Sequence, residues 1–360
     1  MMQPFTYQAQ ATRVIFGAGT LARLPEEVER LGARRALVLS TPGQRASAER
    51  VAALLGERAA GIFDRAAMHV PIESAREARE MARALAADCA VAIGGGSTTG
   101  LGKAIALESG LPVVAVPTTY AGSEMTPIYG LTEGGVKKTG RDPRVLPKCV
   151  IYDPVLTLGL PWTVTMASAF NAIAHAAEGL YAPDGNPVIA LMAEEDIRAS
   201  AAALPALQTD ARDLEARSDA LYGAWLCGTV LGAITMGLHH KLCHTLGGSF
   251  NLPHAEVHTV LLPHALAYNA VAAPEALARI ARGLGLKEVS DPLAAPRALQ
   301  ALARRYGAPT ALAAIGMPAS GLERAADLAV QNPYPNPRPL ERSALRALLQ
   351  RAYDGAPAHS

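Results

Sequence analysis

No stretch of the sequence approaches the roughly 18 consecutive apolar residues that a membrane-spanning helix requires, although 50% of its 360 residues are hydrophobic. The expectation is a soluble globular protein with no membrane partner. The opening residues, MMQPFTYQAQATRVIFG, lack the order of basic region, apolar region and small-residue cleavage site that directs secretion, so a cytoplasmic location is expected. Cysteine is scarce. Cys89, Cys149, Cys227 and Cys243 lie far apart, with none of the close pairs that mark zinc clusters or redox dithiols. Reduced, buried thiols are the expectation. An excess of either charge is also missing: Lys and Arg number 33 against 32 Asp and Glu, with no extended basic block. That removes the electrostatic footprint of a nucleic-acid binder and leaves a small molecule as the expected partner.

What is present argues for two domains, because 360 residues exceed the usual size of one core. Over residues 1–155, short β-rich runs (RVIFG, ARRALVLS, AAGIFD, CAVAIGGGS, PVVAVPTT) alternate with helical patterns. This rhythm predicts a Rossmann-like α/β domain with a parallel sheet. Residues 132–154 break it with Gly and Pro before one more strand, KCVIYD. Over residues 156–360, long Ala- and Leu-rich stretches such as VTMASAFNAIAHAAEGLYA and LEARSDALYGAWLCGTVLGAI predict an all-helical domain. The proline-rich NPYPNPRPL reads as a structural turn before a last helix.

CAVAIGGGSTTGLGKAIAL reads as strand, glycine turn and helix, with Gly94, Gly95 and Gly96 at the turn and Ser97 at the expected N-cap. Backbone N–H groups there can surround a phosphate. Tight glycine turns also join strands to helices for steric reasons alone, and local sequence leaves both readings open. The first strand–helix turn, VLSTPGQRAS, lacks the G-x-G-x-x-G fingerprint. Its strand ends in Ser40 and Thr41, where an acidic residue would bind the NAD ribose and repel an NADP phosphate, so NADH and NADPH are both expected to be accepted. In VPTTYAGSE, Thr118, Thr119 and Ser123 are candidates to bond a pyrophosphate or a nicotinamide amide, or are plain turn residues. Lys103 either approaches the cofactor phosphates or is a solvated helix lysine.

GLHHKLCHTLGGSFNLPHAEVH, residues 237 to 258, gathers five histidines. On a helix His240 and His244 share a face, while His239 and Lys241 turn away by roughly a quarter-turn. His254 opens a new segment after Pro253, and Asn171 and His175 form another i, i+4 pair upstream. Single helical histidines are usually structural; two pairs in one helical domain point to a site.

FNAIAHAAE, HHKLCHTLGGSFNLPHAEVHTVLLPH, GGGSTTGLGK and PTTYAGSE together resemble the signature regions of the iron-containing alcohol dehydrogenase superfamily, also called the dehydroquinate synthase-like fold. Within it the resemblance is to the maleylacetate reductases, and it extends from VIFGAGTLARLPEEVERLG and HVPIE to NPRPL. It implies an active site in the cleft between the two domains and a homodimer. In metal-dependent members one aspartate and three histidines hold the ion, and those positions fall on Asn171, His175, His240 and His254. Asparagine replaces the aspartate, and an amide oxygen is a poorer donor to a divalent cation. Glu256 and His258 follow His254 where such members carry glycine after the last ligand, and Gly100 replaces a common aspartate. The resemblance thus implies that no metal is required. If one is bound, His175, His240 and His254 are its ligands with Asn171 a weak fourth.

For the reduction of a dianionic enone, His175, His240 and His254 are expected to stabilise substrate and enolate, their cationic form attracting carboxylates, with Asn171 as a hydrogen-bond donor and His244 as proton donor. Tyr120, Lys138 and His258 are expected near the substrate. Glu178 and Glu256 are orienting residues or ordinary packing, and no role follows for His69. The rival within enzymes is a metal-dependent alcohol or polyol dehydrogenase. The rival outside them is a non-catalytic nucleotide-binding scaffold, which needs no histidine pairs.

Overall fold

The short apolar runs become strands of a six-stranded sheet: β1 (Arg13–Phe16), β2 (Ala36–Leu39), β3 (Ala59–Phe63), β4 (Cys89–Gly94), β5 (Val113–Pro117) and, after a hairpin of β6 (Ile128–Glu133) and β7 (Val136–Arg141), β8 (Cys149–Tyr152). The computed structural model describes residues 4–134, 136–287, 290–331 and 334–359. The sheet order is β1-β8-β5-β4-β2-β3, with every pairing parallel. β2, β4, β5 and β8 are buried at every residue, whereas the edge strands β1 and β3 are partly exposed. Burial on both faces is why the inner strands read as continuous apolar runs.

Side chains alternate between the faces. Val38, Val91 and Ile93 pack against Leu24 and Val28 of α1 (Leu24–Arg30) and Val51 and Leu55 of α2 (Arg45–Leu55). Leu37, Leu39, Ala90 and Ala92 pack against Ala75 and Ala78 of α3 (Ile72–Ala84) and Leu101 and Ile105 of α4 (Gly96–Ser109). From β2 the chain passes to β3 on one side and then to β4 on the other. The carboxyl ends of β2 and β4 therefore flank the crevice where open α/β sheets take ligands.

The hairpin was not foreseen. Residues expected to break the strand rhythm form an antiparallel pair, Glu133 opposite Val136, turned through Gly134 at φ +56°. β7 is exposed along most of its length, so it carries no apolar pattern; the glycine pair between two runs was its only signal.

The sheet groups with residues Ala9–Leu160 and Arg212–Leu221 as one unit, and the second unit takes Pro161–Ala211 and the described chain from Tyr222 onward. The helical part consists of α5 (Trp162–Gly179), α6 (Pro187–Thr209), α7 (Leu214–Ala233), α8 (Leu238–Phe250), α9 (His254–Asn269), α10 (Pro274–Gly283), α11 (Ala294–Arg305), α12 (Leu322–Ala329) and α13 (Arg342–Asp354). No single described helix is long and apolar enough to cross a membrane. α9 is its axis, buried from Val257 through Asn269. Its Leu262 and Leu266 join Phe170, Ile173, Ile197 and Ile280, while Val257 and Leu261 join Leu238, Leu242, Leu345 and Leu348. All four cysteines are buried and outside any disulfide.

One buried cation fixes the loop that follows β5. Lys103 of α4 is 0% exposed. Its Nζ donates to Ser123 O at 2.6 Å, Ile128 O at 2.8 Å and Thr126 Oγ1 at 2.9 Å, with Ser123 Oγ farther off at 3.3 Å, so each ammonium proton has a near acceptor. Burial pushes its pKa down to about 7, and the nearby Glu124 pulls the other way. Lys103→Met strands these buried oxygens and is expected to cost about 3 kcal/mol in denaturant unfolding; an unchanged midpoint would remove this lysine from the account.

Candidate active site

The glycine turn lies at the carboxyl end of β4, beside the β2–β4 crevice. Gly94 has φ +152°, and a Cβ there would strike the Thr98 and Gln44 side chains, while one on Gly95 would meet Thr119 Oγ1 at 3.0 Å. Only glycine lets the backbone adopt this conformation in so little space. Gly95 is the N-cap of α4 and no side chain caps it; Thr98 N is bonded to Gly95 O, so the N–H groups of the exposed Gly96 and of Ser97 are the ones that can meet an anion. Ser97 is thus not the cap: the helix starts two residues earlier than expected, and Ser97 lies within its first turn.

Thr118 N donates to Gly94 O at 3.0 Å. Gln44 Nε2 donates to Thr118 Oγ1 at 2.8 Å and Gln44 Oε1 accepts from Thr41 Oγ1 at 3.3 Å. Gln44 therefore ties the ends of β2 and β5 beside the turn, a role that nothing in TPGQ signalled. Ser40 is fully buried, its backbone bonded to Phe63 and Ala66; at this strand end Thr41, not Ser40, is open to a ligand.

Two expected roles conflict with burial, and a third residue stands on an exposed hairpin. Lys103 is neither solvated nor at the phosphates, because its protons are spent inside the fold on Ser123, Thr126 and Ile128. Tyr120 is 0% exposed and its Oη accepts from Arg217 Nη1 at 2.9 Å, so it is an internal residue rather than a substrate contact. Lys138 stands on the exposed hairpin, 69% accessible, paired with Glu133 at 2.9 Å.

The histidines gather in the helical part. Asn171, His175 and Glu178 share a face of α5; α8 brings His239, His240, Cys243 and His244, and α9 brings His254 and, one turn on, His258. His175 stacks on His240 with centroids 4.7 Å apart. His258 stands edge-on to His240 at 5.0 Å and to His254 at 4.4 Å, and His254 is stacked 6.2 Å from His244. His239, expected to turn away, turns into the contact between α8 and α9, where its Nε2 lies 3.0 Å from His258 Nδ1. His175, His239, His240 and His258 are buried; His244 and His254 are exposed.

Glu178 organises this cluster. Its carboxylate accepts from the backbone N–H groups of Gly237 (3.1 Å), His239 (2.8 Å) and His240 (3.4 Å), capping α8 from another helix. It also bonds His240 Nδ1 at 2.6 Å. Burial pushes Glu178 above the usual carboxylate range, while nearby His239 and the backbone donors hold the charged form. Spacing alone left this residue between orienting and packing roles; the geometry makes it orienting.

Burial, reinforced by mutual repulsion, holds His175, His240 and His258 well below the ordinary 6.5. Burial thus favours the neutral form of these three imidazoles and works against the expected attraction of carboxylates by cationic His175 and His240. A neutral His240 facing a carboxylate keeps its proton on Nδ1 and presents a bare Nε2. That Nε2, Asn171 Oδ1 and His258 Nε2 are buried with no protein partner, a costly state unless a ligand engages them.

The ligand positions implied by the resemblance, Asn171, His175, His240 and His254, offer three imidazoles and an amide without negative charge. The carboxylate bonded to this cluster, Glu178, holds the far nitrogen of His240. The set fits a hard divalent cation poorly.

The sequence profile of the iron-containing alcohol dehydrogenases matches residues 11–154, and that of the C-terminal part of the Fe-containing alcohol dehydrogenase family matches residues 165–353. A maleylacetate reductase from Burkholderia cepacia is 69% identical, covering 98% of this chain and 99% of its own. One from Sphingobium indicum is 57% identical and covers 98% of each. The crystal structure of maleylacetate reductase from Agrobacterium tumefaciens matches at a TM-score of 0.95 and 56% identity, over 99% of this chain and 100% of that one. The chain belongs to the iron-containing alcohol dehydrogenase family and, within it, to the maleylacetate reductases.

Proposed function

We propose that this enzyme reduces maleylacetate to 3-oxoadipate with NADH or NADPH, in the breakdown of aromatic compounds and without a required metal. The observation that carries the reading is the set of partnerless buried atoms, Asn171 Oδ1, His240 Nε2 and His258 Nε2, amid closely packed histidines. Maleylacetate is a dianion with a ketone conjugated to an alkene. Its reduction needs a hydride on the alkene carbon β to the ketone, a partner for the charge that collects on the ketone oxygen, and a proton for the neighbouring carbon.

Bound NADH or NADPH supplies the hydride. The turn of Gly94, Gly95 and Gly96 with Ser97 receives the pyrophosphate, and Thr118, Thr119 and Ser123 line its approach. Thr41 at the end of β2 carries no charge to repel a ribose phosphate, so either cofactor serves. As the dianion arrives, His240 takes a proton on Nε2, because Glu178 is already 2.6 Å from Nδ1 to offset the imidazolium. It then donates to the enolate oxygen, with His175, His254 and the Asn171 amide completing the polar surround. His244, exposed and able to exchange with solvent, delivers the proton to carbon.

A second reading, a metal-dependent dehydrogenase, is favoured by one feature: an imidazole anchored through Nδ1 to a carboxylate is how metal-ligating histidines are held. The uncharged ligand set weighs against it.

The purified enzyme is expected to oxidise NADH with maleylacetate at an undiminished rate in the presence of chelator, with NADPH within about tenfold. Activity lost on chelation and restored by iron or zinc, with oxidation of simple alcohols by NAD, would establish the second reading. His244→Ala should lower kcat by about a hundredfold with little change in KM for the cofactor; an unaltered kcat would exclude it as the proton donor.

A further inference from the structure

We propose that His239, Cys243 and His258 form a site for a thiophilic divalent cation of the zinc class, built from one thiolate and two imidazoles and sharing His258 with the substrate site. His239 and Cys243 lie one turn apart on α8, and His258 faces them from α9. All three are 0% exposed, and their donor atoms lie within 4.8 Å of one another. None belongs to the ligand positions Asn171, His175, His240 and His254.

The spacing suits a cation. Zinc bonds of about 2.3 Å to sulfur and about 2.0 Å to nitrogen, at tetrahedral angles, set donor separations of roughly 3.5 Å between S and N and roughly 3.3 Å between two N atoms. Cys243 Sγ lies 3.6 Å from His239 Nε2, and that nitrogen 3.0 Å from His258 Nδ1. The third edge, Cys243 Sγ to His258 Nδ1, lies within 4.8 Å and closes toward roughly 3.5 Å as the three donors take three corners of a tetrahedron, with the fourth left for water. Sulfur and imidazole donors select zinc-like ions over magnesium or calcium.

The balance of the step is simple. The cation displaces the Cys243 thiol proton to solvent; of the facing nitrogens His239 Nε2 and His258 Nδ1, the one carrying the proton of their hydrogen bond passes it to the outer nitrogen of its own ring, so that each neutral imidazole offers a lone pair. One thiolate leaves a single positive charge, which lies close to the carboxylate of Glu178, itself bonded to His239 N at 2.8 Å. Burial and Glu178 push the Cys243 thiol well above its ordinary range, so without a metal it stays protonated and inert.

Cobalt(II) titrated into the metal-stripped full-length enzyme is the test. Uptake is expected to bring a thiolate-to-cobalt charge-transfer band that saturates at one equivalent. His254→Asn, which removes a family ligand position, keeps the band, and so does Cys227→Ser, whose thiol lies 3.9 Å from His175 Nδ1 in the native chain. Cys243→Ser abolishes it, and His239→Asn, which retains the thiol, weakens zinc binding by about tenfold or more. Lack of cobalt uptake, cobalt bound without the band, a band surviving in Cys243→Ser, or one lost in Cys227→Ser instead would each overturn the proposal.

Discussion

The hydrogen bond between the Glu178 carboxylate and His240 Nδ1, 2.6 Å long and buried, is the constraint on which the arrangement of the histidines depends. The same carboxylate receives the backbone at the start of α8, so one side chain of α5 sets both where α8 begins and which nitrogen of His240 is open. Remove its charge and the helix start, the imidazole tautomer and the packing of His258 against His240 all lose their reference. A buried carboxylate is costly unless its oxygens are occupied. Here backbone donors and an imidazole occupy them, and a costly group becomes a rigid one.

That rigidity bears on the chemistry. Neutral, desolvated imidazoles are poor attractors of a dianion at rest, yet a pair such as Glu178 and His240 can accept a proton without creating uncompensated charge. Asn171 fits the same logic. An aspartate beside three imidazoles would favour a bound cation, whereas an amide adds a donor and leaves the local charge to the substrate. The α/β part follows a parallel economy: Gly94 and Gly95 give up side chains so that a backbone can meet a phosphate, and Gln44 and Lys103 hold the neighbouring loops from within.

Much of this was legible in the sequence, for physical reasons. Strands buried on both faces leave unbroken apolar runs, which is why β2, β4, β5 and β8 could be read, with the partly exposed edge strands β1 and β3 still apolar enough to follow, whereas β7, polar and exposed, left only its glycine turn. Histidines at i, i+4 announce a shared face, and His240, His244, Asn171 and His175 follow it. Spacing along one helix cannot say what packs against the opposite face, so His239 was assigned away from a cluster it joins through α9. Nor does a residue's type reveal whether its charge is spent internally. Lys103 and Tyr120 carry the right groups for a cofactor or substrate and use them on Ser123, Thr126, Ile128 and Arg217. Gln44 and Glu178 act through contacts 74 and 61 residues away along the chain, beyond any local pattern.

The most direct test is nitrogen-15 NMR of the imidazoles in the substrate-free enzyme near neutral pH. His240 should be neutral, with its proton on Nδ1 in a strong hydrogen bond and Nε2 unprotonated. A standing imidazolium, or a proton on Nε2 with Nδ1 bare, would contradict the claim that Glu178 sets the open nitrogen of the site.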